Sequence, residues 1–279
     1  MNRILTVFLI LIINSSVFAQ NIKSDDKIYL LVRADDIASF HDANIACISS
    51  AKEGIAKSIE IMVPCAWFPE AVKMLNENPW IDVGAHLLLT SEWDEIKWRP
   101  LTNAPSLTDN NGYFFPVIWG KADNKNCLLN NNWKIDEIEN ELRAQIELAQ
   151  KSIPQLSHIS AHMGFTGMDS SVSELVDRLA SEYNLKSEKD FQLKRMEGWG
   201  KVQSTTEAID KFVKSINNLV PGTYLFVEHP GLDNEEMQAI SKSNIADERQ
   251  RVTDVCTSRE VIQILKDKGV VLISYADLF

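Results

Sequence analysis

Ile28-Tyr29-Leu30-Leu31-Val32-Arg33-Ala34-Asp35-Asp36 is an apolar run of strand-forming residues that ends on two adjacent carboxylates. A continuous apolar run suits a strand covered on both faces, as in a parallel sheet. Over 42–53, Ala43, Ala46, Cys47 and Ser50 recur at helical spacing before Gly54. The same alternation continues along the chain. Strands are expected over 55–63, 81–89, 156–161, 224–227 and 270–274, and helices near 69–76, 134–151, 170–181, 205–219 and 258–268. The clearest helix is 134–151, where Ile135, Ile138, Leu142, Ile146 and Ala149 form one apolar stripe between charged residues. Strand–helix alternation implies a parallel α/β sheet with helices outside it. About seven strands in one domain point to a single-domain distorted (β/α) barrel, TIM-barrel-like in plan.

The N terminus has a different character. Arg3 precedes an apolar run from Ile4 to Ile13, and Val17-Phe18-Ala19 gives a small-x-small exit before Gln20. This is the layout of a cleavable secretory signal over 1–19, leaving 20–279 as the barrel domain and an exported, periplasmic or secreted protein. A membrane anchor would need about 18 apolar residues, so stable membrane insertion is not expected after cleavage. The chain carries a net charge of −11, and no basic run interrupts it. Nucleic acid is therefore excluded as a natural partner, and a neutral or cationic substrate is favoured. Cys47, Cys65, Cys127 and Cys256 have no metal-ligand spacing and read as structural thiols.

Parallel barrels hold their reactive groups at the carboxyl ends of strands. Asp35 and Asp36 end the first strand, His86 sits late in the third, His162 closes 156–161 and His229 closes 224–227. Two imidazoles and one carboxylate can bind a divalent ion while leaving positions open for chemistry. A second carboxylate beside them can take a proton from water. Successive strand residues point to opposite faces, so Asp35 and Asp36 can share a site only where the strand turns. Each signal also has a plainer reading. The Asp pair could cap a helix, His86 could be a hydrogen-bonded core residue, and His229-Pro230-Gly231 could be a turn. His158 and His41 read as surface or loop histidines, although His41 is close enough to the Asp pair in sequence to line a site.

The same residues resemble the YdjC-like carbohydrate deacetylases, which include chitooligosaccharide deacetylases. The likeness runs from Arg33-Ala34-Asp35-Asp36-Ile37 and Asn44 through Ser58-Ile59-Glu60-Ile61-Met62-Val63. It continues in Asp82-Val83-Gly84-Ala85-His86-Leu87-Leu88-Leu89-Thr90, the 109–114 loop, Glu141-Leu142-Arg143-Ala144-Gln145-Ile146, His229-Pro230-Gly231 and Leu272-Ile273-Ser274-Tyr275. The resemblance implies a distorted barrel and metal-dependent hydrolysis of N-acetyl groups on amino sugars. It makes Asp36, His86 and His162 the metal ligands, Asp35 the general base and His229 the acid that protonates the leaving amine. Zinc is favoured by the imidazole ligands, and the family also allows magnesium or another divalent ion. One departure stands out. Members often carry Asp-x-His-x-His-x-His where this chain has Ser160-Ala161-His162-Met163-Gly164-Phe165, so only the first histidine remains.

The long interval from Thr90 to Trp133 is turn-rich and aromatic, which suits a functional loop. Trp93, Trp98 and Trp119 are its candidate platforms for a carbohydrate ring, with packing of the loop as the other reading. Glu60 interrupts an apolar strand, and Arg33 on the neighbouring strand is its expected supporting ion-pair partner. Two other functions stay open at this point: a glycoside hydrolase built on the paired carboxylates, and an exported sugar-binding protein that has lost catalysis.

Overall fold

A computed structural model of the chain describes residues 26–93, 95–121, 126–240 and 245–279. The expected signal segment lies outside them. Among the described residues there are seven strands, all paired in parallel: β1 (Ile28–Ile37), β2 (Ser58–Ile61), β3 (Asp82–Leu87), β4 (Leu156–Ala161), β5 (Lys194–Arg195), β6 (Gly222–Glu228) and β7 (Val270–Ile273). The sheet runs β4-β3-β2-β1-β6-β5. β1 is its hub. One edge pairs with β6 from Ile28 to Ala34, while the other is shared, with β7 on Ile28 to Leu31 and β2 from Arg33 to Ile37. The sheet therefore forks and curls into a distorted barrel, as the strand–helix alternation predicts.

The helices are α1 (His41–Lys52), α2 (Phe68–Asn76), α3 (Ile135–Ser152), α4 (Ser170–Glu182), α5 (Thr205–Asn218), α6 (Glu235–Ile240), α7 (Ile245–Thr257) and α8 (Arg259–Asp267). The stripe of α3 is buried at Ile138, Leu142, Ile146 and Ala149, as its spacing requires. Its Ile135 differs, being 39% exposed in the first turn, beyond the reach of the sheet. Two features escaped the apolar pattern. β5 is a two-residue exposed strand, and α7 buries Arg249, Arg251 and Thr253 beside its apolar residues. No helix among the described residues is long and apolar enough to cross a membrane. All four cysteines are buried thiols rather than disulfides.

The described residues of the 90–133 interval are docked rather than open. Glu141 of α3 accepts hydrogen bonds from the backbone N–H groups of Leu101 and Thr102, and Glu137 accepts one from Ser106. Leu107, Phe114, Phe115 and Ile118 are buried against the barrel.

Candidate active site

The end of β1 explains how two adjacent aspartates reach one site. Ala34 pairs with Ile59 and Ile37 with Ile61, so β1 carries one residue more than β2 over that interval. This is a bulge, which bends a strand and re-aims its side chains. Asp36 has φ of 74° and Ala38 of 84°, left-handed values that cost roughly 1–3 kcal/mol in a non-glycine residue. Local bonds hold the strained turn. The Asn44 side chain accepts from the Ala38 N–H at 2.6 Å, and Ser39 donates its hydroxyl to the Asp36 carbonyl at 2.6 Å.

Asp36 Oδ1, His86 Nε2 and His162 Nδ1 converge there. The separations are 3.6 Å from Asp36 to His86, 3.5 Å from Asp36 to His162, and 3.2 Å between the two rings. Ligand atoms about 2.0–2.1 Å from a tetrahedral zinc stand about 3.4 Å from one another, so the spacing suits a small divalent ion. Asp36 Oδ1 is buried and has no hydrogen-bond donor, whereas its Oδ2 accepts from Arg249 Nη2 at 2.7 Å. The far side of each ring is also held. His162 Nε2 lies 3.2 Å from Glu92 Oε2, and His86 Nδ1 lies 2.8 Å from the Ser160 hydroxyl. Outer hydrogen bonds of this kind fix the orientation of metal-binding imidazoles. On donor set, spacing and second partners, these residues fit a divalent cation.

Electrostatics agree with that fit. Burial alone would push the Asp36 carboxyl up, but Arg249, His229 and His162 outweigh it and hold it well below the usual carboxylate range. Burial and the neighbouring His162 keep His86 well below the ordinary imidazole value. Burial also opposes a charge on His162, yet Glu92 and Asp36 lift it to about 10. The space among the three ligand atoms thus draws positive charge, which a divalent cation supplies directly. Asp35 is raised to about 7, chiefly by burial and against the pull of Arg33. Its carboxylate is gripped by Arg33 Nε at 2.8 Å and Nη2 at 2.9 Å, and its Oδ2 stands 3.8 Å from His86 Nε2. His229 is lowered to about 4, first by burial, and is neutral at rest.

A cleft of about 1090 Å³ opens over this cluster, with Asp36, Glu92, Trp93, His162, His229 and Arg249 on its wall. Asp35 and His86 are buried and do not line it. Sequence reasoning missed Glu92, Arg249, Trp199 and Glu228, which also border the cleft. Glu92, two residues past Thr90, had the weak signal of a carboxylate close to a strand end. Arg249 sits in a helix that apolar periodicity does not show. Burial raises Glu228 to about 7 although Arg195 and Arg249 oppose it.

Three expectations need correction. Glu60 does not pair with Arg33. Its Oε1 lies 2.7 Å from His158 Nε2 and its Oε2 accepts from Ser160, while Arg33 is taken by Asp35 and by Glu188 at 2.6 Å. Arg33 and Glu60 lie on the same face, but Arg33 closes on Asp35 two residues along its own strand, while Glu60 turns to His158 across Gly84, which puts no side chain in the way. His158 is accordingly no surface residue but fully buried in mid-strand, on the same side as Ser160 and His162. His41, by contrast, is half-exposed, pairs with Glu70 at 2.9 Å and does not line the cleft. Trp98 is 3% exposed and its indole donates to the Thr90 carbonyl, so it packs the loop and offers no open face to a sugar. Trp93 is also nearly buried but borders the cleft, its ring 5.2 Å from the Arg249 guanidinium. Trp119 is 47% exposed, with its indole N–H directed to the Met163 carbonyl at the cleft's rim.

Comparison with known proteins agrees with this architecture. The chain is 29% identical over 264 residues to a protein of Clostridium beijerinckii named carbohydrate deacetylase, covering 89% of this chain and 99% of that one. A carbohydrate deacetylase of Brevibacillus brevis is 27% identical over 265 residues, with the same coverage. A crystal structure from Enterococcus faecalis V583, described as a proposed cellobiose-phosphate cleavage protein, shares the fold with a TM-score of 0.72 at 22% identity, covering 90% of this chain and 99% of the other. The family model described as YdjC-like protein matches residues 29–267, and the chain belongs to that family.

Proposed function

We propose that this protein is a metal-dependent hydrolase that removes N-acetyl groups from an amino sugar or oligosaccharide. The observation that carries the reading is the buried Asp36–His86–His162 set, with ligand atoms 3.2–3.6 Å apart at the base of a cleft and Asp35 beside it. Relatives named carbohydrate deacetylase along nearly their whole length support it. A divalent ion held by Asp36, His86 and His162 would polarise an acyl carbonyl and acidify water. Asp35, buried and at about 7, accepts the water proton. His229, neutral at rest, takes up a proton as negative charge develops in the cleft and passes it to the departing nitrogen. Zinc is the favoured ion because two of the three ligands are imidazoles.

The test is acetate release from a panel of N-acetylated glycans. Chelation should reduce turnover to the background rate, and added zinc should restore it. Release that persists in full after the protein is stripped of metal would remove this reading. A second measurement addresses the sugar. An exposed indole at the rim stabilises a stacked ring by about 0.5–1.5 kcal/mol, so Trp119→Ala should raise KM on an oligosaccharide roughly 2- to 12-fold while kcat holds. An unchanged KM would assign Trp119 to packing against Met163 and Gly167.

A further inference from the structure

Glu60 of β2, Gly84 of β3 and His158 of β4 stand in one row across the sheet, and His86 and Ser160 stand opposite one another two residues further along. Glu60 and His158 meet across Gly84 because that residue has no side chain. A Cβ at position 84 would lie 2.2 Å from Glu60 Oε2 and 2.5 Å from His158 Nε2. The result is a buried hydrogen-bonded chain leading away from His86 into the sheet. It runs His86 Nδ1 to Ser160 Oγ at 2.8 Å, Ser160 Oγ to Glu60 Oε2 at 2.5 Å, and Glu60 Oε1 to His158 Nε2 at 2.7 Å. It ends at Ser157, 2.7 Å from His158 Nδ1, which donates to Asp82.

The direction of each bond follows from counting protons. An ionised carboxylate only accepts, and a serine hydroxyl has one proton to give. Ser160 gives its proton to Glu60, so it faces His86 with a lone pair, and His86 Nδ1 must carry the hydrogen. Ser157 likewise gives its proton to Asp82, so His158 donates from both nitrogens and stands as an imidazolium between two acids. With Nδ1 protonated, His86 presents a bare Nε2 toward Asp36 and His162. We propose that Glu60, anchored by His158 and acting through Ser160, is a positioning residue that fixes His86 in its ion-binding tautomer. The inference rests on the metal-centre reading of Asp36, His86 and His162.

Glu60→Gln is the discriminating variant. A glutamine keeps the shape but can donate an amide N–H to Ser160, which turns the hydroxyl proton toward His86 Nδ1. The imidazole hydrogen then moves to Nε2, where the ion binds. Loss of such an outer partner weakens metal affinity about 10- to 100-fold. The experiment combines zinc affinity, by competition with a chelating dye, and 15N-histidine NMR of the zinc-free protein. The wild type should show His86 with hydrogen on Nδ1, and Glu60→Gln should show it on Nε2 with zinc bound 10- to 100-fold more weakly. Ser160→Ala, which leaves the Glu60–His158 pair in place, should also weaken zinc, and Ser160→Thr should restore it. If Glu60→Gln fails to fold, the two Ser160 variants decide. Wild-type zinc affinity in Ser160→Ala, or hydrogen on Nε2 of His86 in the wild type, would overturn the proposal. A wild type that binds no zinc at all would instead count against the metal centre, while the zinc-free spectrum would still decide the tautomer.

Discussion

Asp35→Asn should cut acetate release about 10²–10⁴-fold while zinc content and zinc affinity stay close to those of the wild type. The substitution is nearly isosteric and removes the negative charge and, with it, the capacity to take a proton. Asp35 contributes none of the three converging ligand atoms, and its Oδ2 stands 3.8 Å from one of them, His86 Nε2. A group seated among those atoms is therefore beside its carboxylate, within reach for proton transfer. Arg33 would lose one charged partner but keep Glu188 at 2.6 Å and the Tyr275 hydroxyl at 3.3 Å, so the buried guanidinium is not stranded. Single-turnover rates alongside elemental analysis separate the two possible failures. A variant with the full wild-type rate would show that another group takes the proton. A variant that loses zinc would make Asp35 a ligand and force a new search for the base.

The sheet was legible because its strands are covered on both faces and so read as apolar runs. β4 matches its expected bounds, Leu156 to Ala161, and β3 differs from expectation by one or two residues at each end. The first strand proved longer than its apolar core. Ordinary strand alternation forbids Asp35 and Asp36 from sharing a face, and no local propensity announces the bulge and the left-handed Asp36 that allow it. The convergence of Asp36, His86 and His162 could be inferred from strand-end position alone, since a parallel barrel gathers such ends together. Their supports could not. Arg249 arrives from α7, 213 residues beyond Asp36 in the chain, in a helix too polar to show a stripe. Glu60 and His158 were visible as polar residues in strands, but which partner each would take depended on lateral register and on the gap over Gly84. His158, Ser160 and His162 do follow period two, and that spacing was the one available sign that His158 faces inward with the others.

Gly84→Ala should destabilise the protein by about 3–5 kcal/mol, a large loss for one methyl group. The usual objection to replacing glycine does not apply, because the backbone at Gly84 is ordinary strand and its φ is not positive. Space is the issue. The new Cβ would fall within 2.2 Å of Glu60 Oε2 and 2.5 Å of His158 Nε2, far inside contact distance. Side-chain ends often yield cheaply, but neither of these is free to move. Both residues are fully buried, Glu60 is tied to Ser160, and His158 is tied to Ser157. Relief requires separating the pair, which leaves two buried groups of opposite charge without their partner, and overpacking alone would cost only about 1–3 kcal/mol. Urea unfolding of the zinc-free protein reads this without any contribution from bound metal, and Ser160→Ala supplies the contrast, since it keeps the ion pair. Should Gly84→Ala lose less than about 1 kcal/mol, Glu60 and His158 would have room to meet elsewhere, and the glycine would not be the reason that this row of the sheet can hold a charge pair.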